Sequence, residues 1–326
     1  MTVGLIGAGS WGCALAAVLL EKGHRVRWWV HKEEIAQSLI ERGMHPSVFP
    51  EYVFPPAQIA YVGTRLKEVW RGAEAIVLAL PSRYVPEVLE EEPLPARLWV
   101  SCTKGLLPGG LLRPSQYLRE KGVQAVVILS GPSHAEEVIL RKPTWVAVGT
   151  PERSLYERGA QLFSQPYFHL LWSRAWVSLE WVGVLKNIYA IGMGVVSLWG
   201  DNARAALAAV ALREMQEVLQ MLVPEEEPPF LSPGWTGDFL VTAFSPYSRN
   251  QRFGQLLAQG YTALAALQKL GMVAEGYYAA QSLASWAEYR RFPLLRAVVE
   301  AIQSQSNPSE VLRQAVVNVM ESFSDI

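Results

Sequence analysis

Residues 2–30, TVGLIGAGSWGCALAAVLLEKGHRVRWWV, decide the fold. Thr2–Ile6 reads as an apolar strand, Trp11–Glu21 as a helix stopped by Gly23, and Arg25–Val30 as the next strand. Between the first strand and the helix, Gly7-Ala8-Gly9-Ser10-Trp11-Gly12 fits the G-x-G-x-x-G turn of dinucleotide-binding units. The first glycine permits a tight turn, the second lets the backbone approach a pyrophosphate, and the third lets helix pack on strand. The helix N-terminus then offers free N–H groups and a partial positive charge to the anion. In NAD-binding units a carboxylate at the end of the second strand meets the ribose 2′-hydroxyl. Here that strand ends Trp29-Val30-His31-Lys32, and Glu33 comes slightly late. His31 and Lys32 suit a 2′-phosphate instead, so the reading leans to NADP over NAD.

Outward from this unit, apolar runs at Ile59–Val62, Ala75–Leu80, Leu98–Ser101, Ala125–Leu129 and Thr144–Val148 read as strands. Amphipathic stretches at Glu33–Arg42, Val85–Glu91 and Ser133–Leu140 read as helices between them. Alternating strands and helices imply a mostly parallel sheet covered on both faces. From Trp176 onward the strand pattern stops. Helices are expected at Val177–Leu198, Asn202–Leu222, Arg252–Gln259, Thr262–Leu270, Tyr277–Tyr289, Leu294–Gln303 and Pro308–Ser322, with a Glu- and Pro-rich loop at Val223–Pro233. The expected fold class is α/β: a Rossmann-type, doubly wound domain over residues 1–176, then an all-helical substrate domain over 177–326.

Half of the 326 residues are hydrophobic and 18% are charged, which is enough apolar material for a substantial core. A net charge of -1 and a pI near 6.6 argue against a nucleic-acid or membrane-surface binder. The two cysteines, Cys13 and Cys102, have no metal-binding spacing and fall in core segments, so inert thiols and no metal are expected. The apolar N-terminus carries no Lys or Arg before Lys22, unlike a signal peptide. The apolar run Trp181–Trp199 contains Lys186 and Asn187, so it reads as a buried helix rather than a membrane span. A cytoplasmic protein is expected, and the apolar helical half is compatible with a homodimer.

Lys186 is the most informative polar residue. Between Val177 and Gly200 it and Glu180 are the only charged groups, on a helix apolar around nearly its whole circumference. A lysine there must be paired or reach a wet site, and burial lowers its pKa towards the range useful for proton transfer. Lys104, in Thr103-Lys104-Gly105, follows a strand end, where open α/β sheets bind ligands. Ser133, in Ser130-Gly131-Pro132-Ser133, reads as a helix N-cap with Glu136 completing a capping box. Asp238 and the triplet Ser248-Arg249-Asn250 add a carboxylate and several hydrogen-bond donors, read from the residues alone as a loop and a helix cap.

Taken together, GAGSWG at 7–12, TKG at 103–105, SGPSHAEEV at 130–138, LKNIYAIG at 185–192, GDNARAAL at 200–207, GD at 237–238, SRNQRFG at 248–254 and VAEG at 273–276 resemble the bacterial NAD(P)-dependent glycerol-3-phosphate dehydrogenases. The resemblance implies reversible conversion of dihydroxyacetone phosphate to sn-glycerol 3-phosphate, a phospholipid precursor. Beside Gly7, Gly9 and Gly12 of the turn and Lys32 at the strand end, already read as cofactor-binding, it implies cofactor contacts from Ser10, Trp11, His31, Lys104, Ala135, Arg249, Val273 and Glu275. Substrate contacts would come from Lys104, Gly131, Ser133, Lys186, Asp238, Ser248, Arg249 and Asn250. Lys186 would be the general acid and base, with Lys104 and Asp238 beside it in the catalytic set. Three departures stand out. Pro233-Gly234-Trp235-Thr236-Gly237 replaces a more glycine-rich stretch, Ala243 follows Thr242 where Cys is frequent, and Lys32 replaces a small or acidic residue. Two rivals remain open at this level: a dehydrogenase of hydroxy acids or sugar acids, and a non-catalytic cofactor-binding protein.

Overall fold

The computed structural model describes residues 1–90, 93–304 and 308–321. The chain divides into two compact units, the first comprising Met1–Leu80, Tyr84–Thr103 and Pro114–Trp176, the second Pro81–Arg83, Lys104–Arg113 and Val177–Ile326.

The first unit is one sheet of eight strands: β1 (Thr2–Ile6), β2 (Arg25–Trp29), β3 (Ile59–Gly63), β4 (Ala75–Leu78), β5 (Leu98–Ser101), β6 (Val126–Ser130), β7 (Thr144–Gly149) and β8 (Phe168–Ser173). Their order is β3-β2-β1-β4-β5-β6-β7-β8. Neighbours pair in parallel except β6 with β7, so the last two strands run against the rest. The central strands β4, β5 and β6 are buried at every residue, as their continuous apolar runs require under helices on both faces. The edge strand β8, FHLLWS, was not expected. Its half-buried and exposed positions do not alternate, so it carries neither a one-faced nor a fully buried signature.

The helices of this unit are α1 (Ser10–Glu21), α2 (Glu33–Arg42), α3 (Leu66–Trp70), α4 (Val85–Leu89), α5 (Pro114–Glu120), α6 (Ala135–Val138) and α7 (Arg153–Phe163). The expected end of α4 at Glu91 lies outside the described residues. Helix α6 is far shorter than the expected 133–140, and the capping box does not form. Its N-cap is His134, without a side-chain cap bond. The Ser133 hydroxyl instead donates to the Gly131 carbonyl at 2.9 Å, a local bond that competes with capping. Both cysteines are buried and unbridged.

The strand order reverses at β1, and the glycine turn follows its carboxyl end, the switch point where such sheets bind ligands. Gly7 has φ +118°, and a Cβ there would lie 2.4 Å from the Ala79 carbonyl oxygen. A Cβ on Gly12 would lie 2.3 Å from the Gly7 carbonyl oxygen, so this glycine sets the approach of α1 to β1. A Cβ on Gly9 would meet nothing within 4 Å, leaving its face of the turn open.

Beyond it come α8 (Trp176–Val196), α9 (Asp201–Leu222), α10 (Asp238–Phe244), α11 (Arg249–Ala258), α12 (Ala263–Leu270), α13 (Glu275–Leu283), α14 (Pro293–Gln303) and α15 (Pro308–Glu321). Ser322, the expected end of the last helix, is outside the described residues. No strand is found among the described residues after Ser173. The expected single helix over 277–289 is broken. Helix α13 stops at Leu283, the Ser285 hydroxyl bonds to the Ser282 carbonyl at 2.8 Å, and a separate 3₁₀ turn follows at Ala287–Arg291. Helix α8 is long and apolar enough to cross a membrane, but its apolar stretch is entirely buried inside the protein.

Helix α8 packs backbone to backbone on α11 and α13. A Cβ on Gly194 would lie 2.1 Å from the Gln251 oxygen, one on Gly254 would lie 1.9 Å from the Ile191 oxygen, and one on Gly276 would lie 2.2 Å from the Asn187 oxygen. Backbone atoms cannot yield as a side-chain tip can. Gly254→Ala is therefore expected to destabilise the fold by about 1–3 kcal/mol through overpacking. Thermal unfolding followed by circular dichroism checks this; an unchanged midpoint would show that the contact relaxes freely.

Candidate active site

The second unit gathers the chemistry. Helix α8 carries Lys186 and Asn187, the start of α10 carries Asp238, and the segment 104–113 carries Lys104. Asp238 is fully buried and Lys186 is 5% exposed. The Lys186 ammonium donates to Asp238 Oδ1 at 2.5 Å and to the Thr242 hydroxyl at 2.9 Å. Lys104 donates to Asp238 Oδ2 at 3.0 Å and Oδ1 at 3.3 Å. One carboxylate thus holds two ammonium groups.

The electrostatics follow from that geometry. Burial is the largest influence on Lys186 and lowers its pKa to about 7, against the opposing pull of Asp238 and with Lys104 adding to the drop. Burial alone would raise the Asp238 carboxyl, but Lys104 and Lys186 outweigh it and hold it below the ordinary carboxylate value. Asp238 is therefore an anion, while the Lys186 amine exchanges its proton near neutrality.

Local structure explains the placement of each group. The unusual stretch Pro233–Gly237 forms a single π-helical turn that delivers Asp238 to the start of α10. One helical turn later the Thr242 hydroxyl donates to the Asp238 carbonyl at 2.7 Å and faces Lys186. Asn187 donates to the Lys104 carbonyl at 3.3 Å and to the Gly183 carbonyl at 2.9 Å. Its own oxygen accepts from Asn250 at 2.8 Å, and Asn250 accepts from the Gly276 N–H at 2.9 Å. Ser248 is the N-cap of α11, accepting from the Gln251 N–H, so this helix starts at Arg249 rather than at the expected Arg252. Arg249 is half-buried in its first turn.

Glu275, first residue of α13, accepts from the Ser82 N–H at 3.1 Å and the Ser82 hydroxyl at 2.7 Å. Burial raises its pKa to about 7 despite those two donors. Val273 lies just ahead of it, half-buried. Gly105 completes this corner, because a Cβ there would stand 2.5 Å from both Glu275 Oε2 and Ser82 Oγ.

The remaining sequence-derived residues lie in the first unit. They are Gly7, Gly9, Ser10, Trp11 and Gly12 on the turn, His31 and Lys32 beyond β2, and Gly131, Ser133 and Ala135 after β6. No side chain caps α1 and no acid occupies its first turn, so its N-terminus with the open face at Gly9 fits an anionic pyrophosphate. His31 lines a cavity of about 780 Å³ together with Trp29, Thr64 and Arg65; Lys32 does not line it. Partial burial and neighbouring Lys32 lower the His31 pKa. Among the described residues no group of three or more His, Cys, Asp or Glu could hold a metal.

Sequence reasoning did not single out Thr242 or Ser82. Thr242 was detectable in principle, being four residues after Asp238 and hence on the same helical face. Ser82 was not, since its partner lies 193 residues away.

Residues 2–155 match the family described as NAD-dependent glycerol-3-phosphate dehydrogenase N-terminus, and residues 176–313 match the corresponding C-terminus. A glycerol-3-phosphate dehydrogenase [NAD(P)+] of Geobacillus thermodenitrificans (strain NG80-2) is 34% identical over 322 residues, covering 94% of this chain and 92% of the relative. The crystal structure of glycerol-3-phosphate dehydrogenase from Coxiella burnetii superposes with a TM-score of 0.88 at 27% identity, covering 96% of this chain and 98% of the other. D-mandelate dehydrogenase, at TM-score 0.58 and 13% identity over 99% of both chains, shares the fold alone.

The buried triad makes stability depend on pH. Lys186 titrates near 7 when folded and near 10.5 when unfolded. Between those values the unfolded chain binds more protons, so stability rises with pH across that window. Lys186→Met is expected to flatten this rise. Denaturant unfolding at pH 7 and pH 9 checks it, and equal slopes for the two proteins would contradict the lowered pKa.

Proposed function

Because the chain belongs to the NAD-dependent glycerol-3-phosphate dehydrogenase family, we propose that it is the oxidoreductase that reversibly reduces dihydroxyacetone phosphate to sn-glycerol 3-phosphate, using NAD(P) and favouring NADP. The observation that carries this reading is Asp238, buried between the ammonium groups of Lys104 and Lys186.

The nicotinamide, when bound, supplies or accepts a hydride at C2 of the substrate. Lys186 delivers a proton to the C2 oxygen during reduction and takes it back during oxidation. A pKa of about 7 keeps both protonation states of the amine available near neutrality. Lys104, held on Asp238, places positive charge where that oxygen becomes negative. Asp238 anchors both amines, and Thr242 fixes the direction of the Lys186 ammonium. Arg249 suits the substrate phosphate through its planar fork, with Ser248 and Asn250 beside it and Gly131 and Ser133 as further substrate contacts. Gly7, Gly9, Ser10, Trp11 and Gly12 receive the dinucleotide, assisted by His31, Lys32, Lys104, Ala135, Arg249, Val273 and Glu275. No step needs a metal.

The division of labour broadly follows the two halves of the sequence: residues 1–176 supply most of the cofactor contacts, and residues 177–326, joined by Lys104, carry the proton chemistry. The product feeds phospholipid synthesis, and a cytoplasmic location suits a soluble substrate and cofactor. A homodimer is proposed from the apolar character of the helical half.

Lys186→Ala is expected to lower kcat by roughly 10²- to 10⁴-fold, the usual contribution of a positioned proton donor, while NADPH binding persists. Steady-state assays with dihydroxyacetone phosphate and fluorescence titration of NADPH check the two halves of that statement. Near-normal turnover would remove Lys186 from the chemistry. In the wild type, reduction needs protonated Lys186 and should decline as pH rises through about 7, whereas oxidation should gain. Parallel pH profiles in the two directions would contradict this role.

A further inference from the structure

The cavity beside His31 contains a cation that the reaction does not use. Its walls are Trp29, His31 and residues 64–68 of the β3–α3 connection, with Glu87, Val88 and Glu90 from the region of α4. All of these belong to the first unit. At about 780 Å³ the cavity falls within the roughly 300–1,000 Å³ usual for small-molecule sites. It opens at the carboxyl end of β2, one strand from the glycine turn, on the side where a dinucleotide places its adenosine ribose.

Charge decides what this cavity can accept. Two acids beside the β3–α3 connection, Glu68 within it and Glu33 bonded to Thr64, are already engaged. Glu68 pairs with Arg27 at 3.3 Å and with Arg71 at 3.9 Å. Glu33, the carboxylate closest to the end of β2, accepts a hydrogen bond from the Thr64 hydroxyl. Arg65 is exposed, and no described carboxylate lies within ion-pair distance of its guanidinium. Glu87 and Glu90 also line the cavity, so an anion settles there only where a permanent cation offsets them. His31 does not meet that need, since partial burial and Lys32 favour its neutral form. Lys32 does not line the cavity, and Lys67, which does, already has an interaction of its own. A guanidinium stays charged throughout the accessible pH range and offers paired donors matched to phosphate oxygens.

We infer that Arg65 is the specificity-determining residue that holds the ribose 2′-phosphate of NADP in this cavity, with His31 as a neutral hydrogen-bonding partner. The assignment rests on the proposed use of NADP, and it places the discriminating charge on the β3–α3 connection rather than on the end of β2.

Isothermal titration of the full chain tests it, using NADPH and NADH together with adenosine 2′,5′-bisphosphate and ADP. Arg65→Ala is expected to weaken NADPH and the bisphosphate by about tenfold, the scale of one charge-assisted hydrogen-bonded contact, and to leave NADH and ADP within about twofold. Arg65→Lys should recover part of the loss. The exposed position of Arg65 predicts an unchanged melting temperature, which separates a binding effect from a folding defect. Equal changes for phosphorylated and unphosphorylated ligands, or no change at all, would overturn the assignment. Failure of the underlying reading is distinguishable: a wild-type chain that binds NADH more tightly than NADPH refutes the NADP preference, whereas Arg65 is judged by the change in their ratio.

Discussion

A single carboxylate, Asp238, sets the chemistry of the helical half. Left alone, an ionised group so deeply buried would cost several kcal/mol in lost hydration. Lys186 and Lys104 offset that cost, and they arrive from α8 and from the segment that follows β5. Two cations on one anion leave an excess of positive charge that burial penalises. The excess is relieved at the least hydrated amine, Lys186, whose proton becomes labile near neutrality. Charge balance thus produces the proton donor, and the same contacts hold three separate pieces of chain in register.

That register depends on backbone contact as much as on charge. Asn187, Asn250 and the Gly276 N–H form a chain of hydrogen bonds across α8, α11 and α13. These bonds close because Gly194, Gly254 and Gly276 let the helices approach to a distance that a Cβ would forbid. In the sheet, Gly12 does the same for α1 and β1. In both halves, glycine contact fixes the rigid frame on which the polar groups sit.

What was legible in the sequence follows the range of the interactions. The glycine turn could be read because its requirements are local: a positive φ at Gly7, open space at Gly9 and close packing at Gly12. Lys186 could be read because a lone cation on an apolar helix contradicts its surroundings. The partner that resolves the contradiction could be named only through the family resemblance, because Asp238 lies 52 residues away behind a turn of unusual composition and nothing local links the two. Ser133 misled for a related reason: the residue pattern of a capping box was present, but its hydroxyl satisfied the Gly131 carbonyl instead. Strand β8 was missed because an edge strand with mixed exposure has neither the alternation of a one-faced strand nor the continuous burial of a central one.

The two thiols have a consequence for handling the protein. Cys13 lies within α1 and donates to the Ala8 carbonyl at 3.6 Å, while Cys102 follows β5; both are shut off from solvent. Burial pushes the Cys13 thiol well above its ordinary pKa, so the reactive thiolate is scarce in the folded state. An alkylating reagent therefore meets Cys13 mainly when α1 leaves the sheet. The chain carries its own reporter of local opening at the cofactor turn, and its rate of alkylation would register dinucleotide binding as protection.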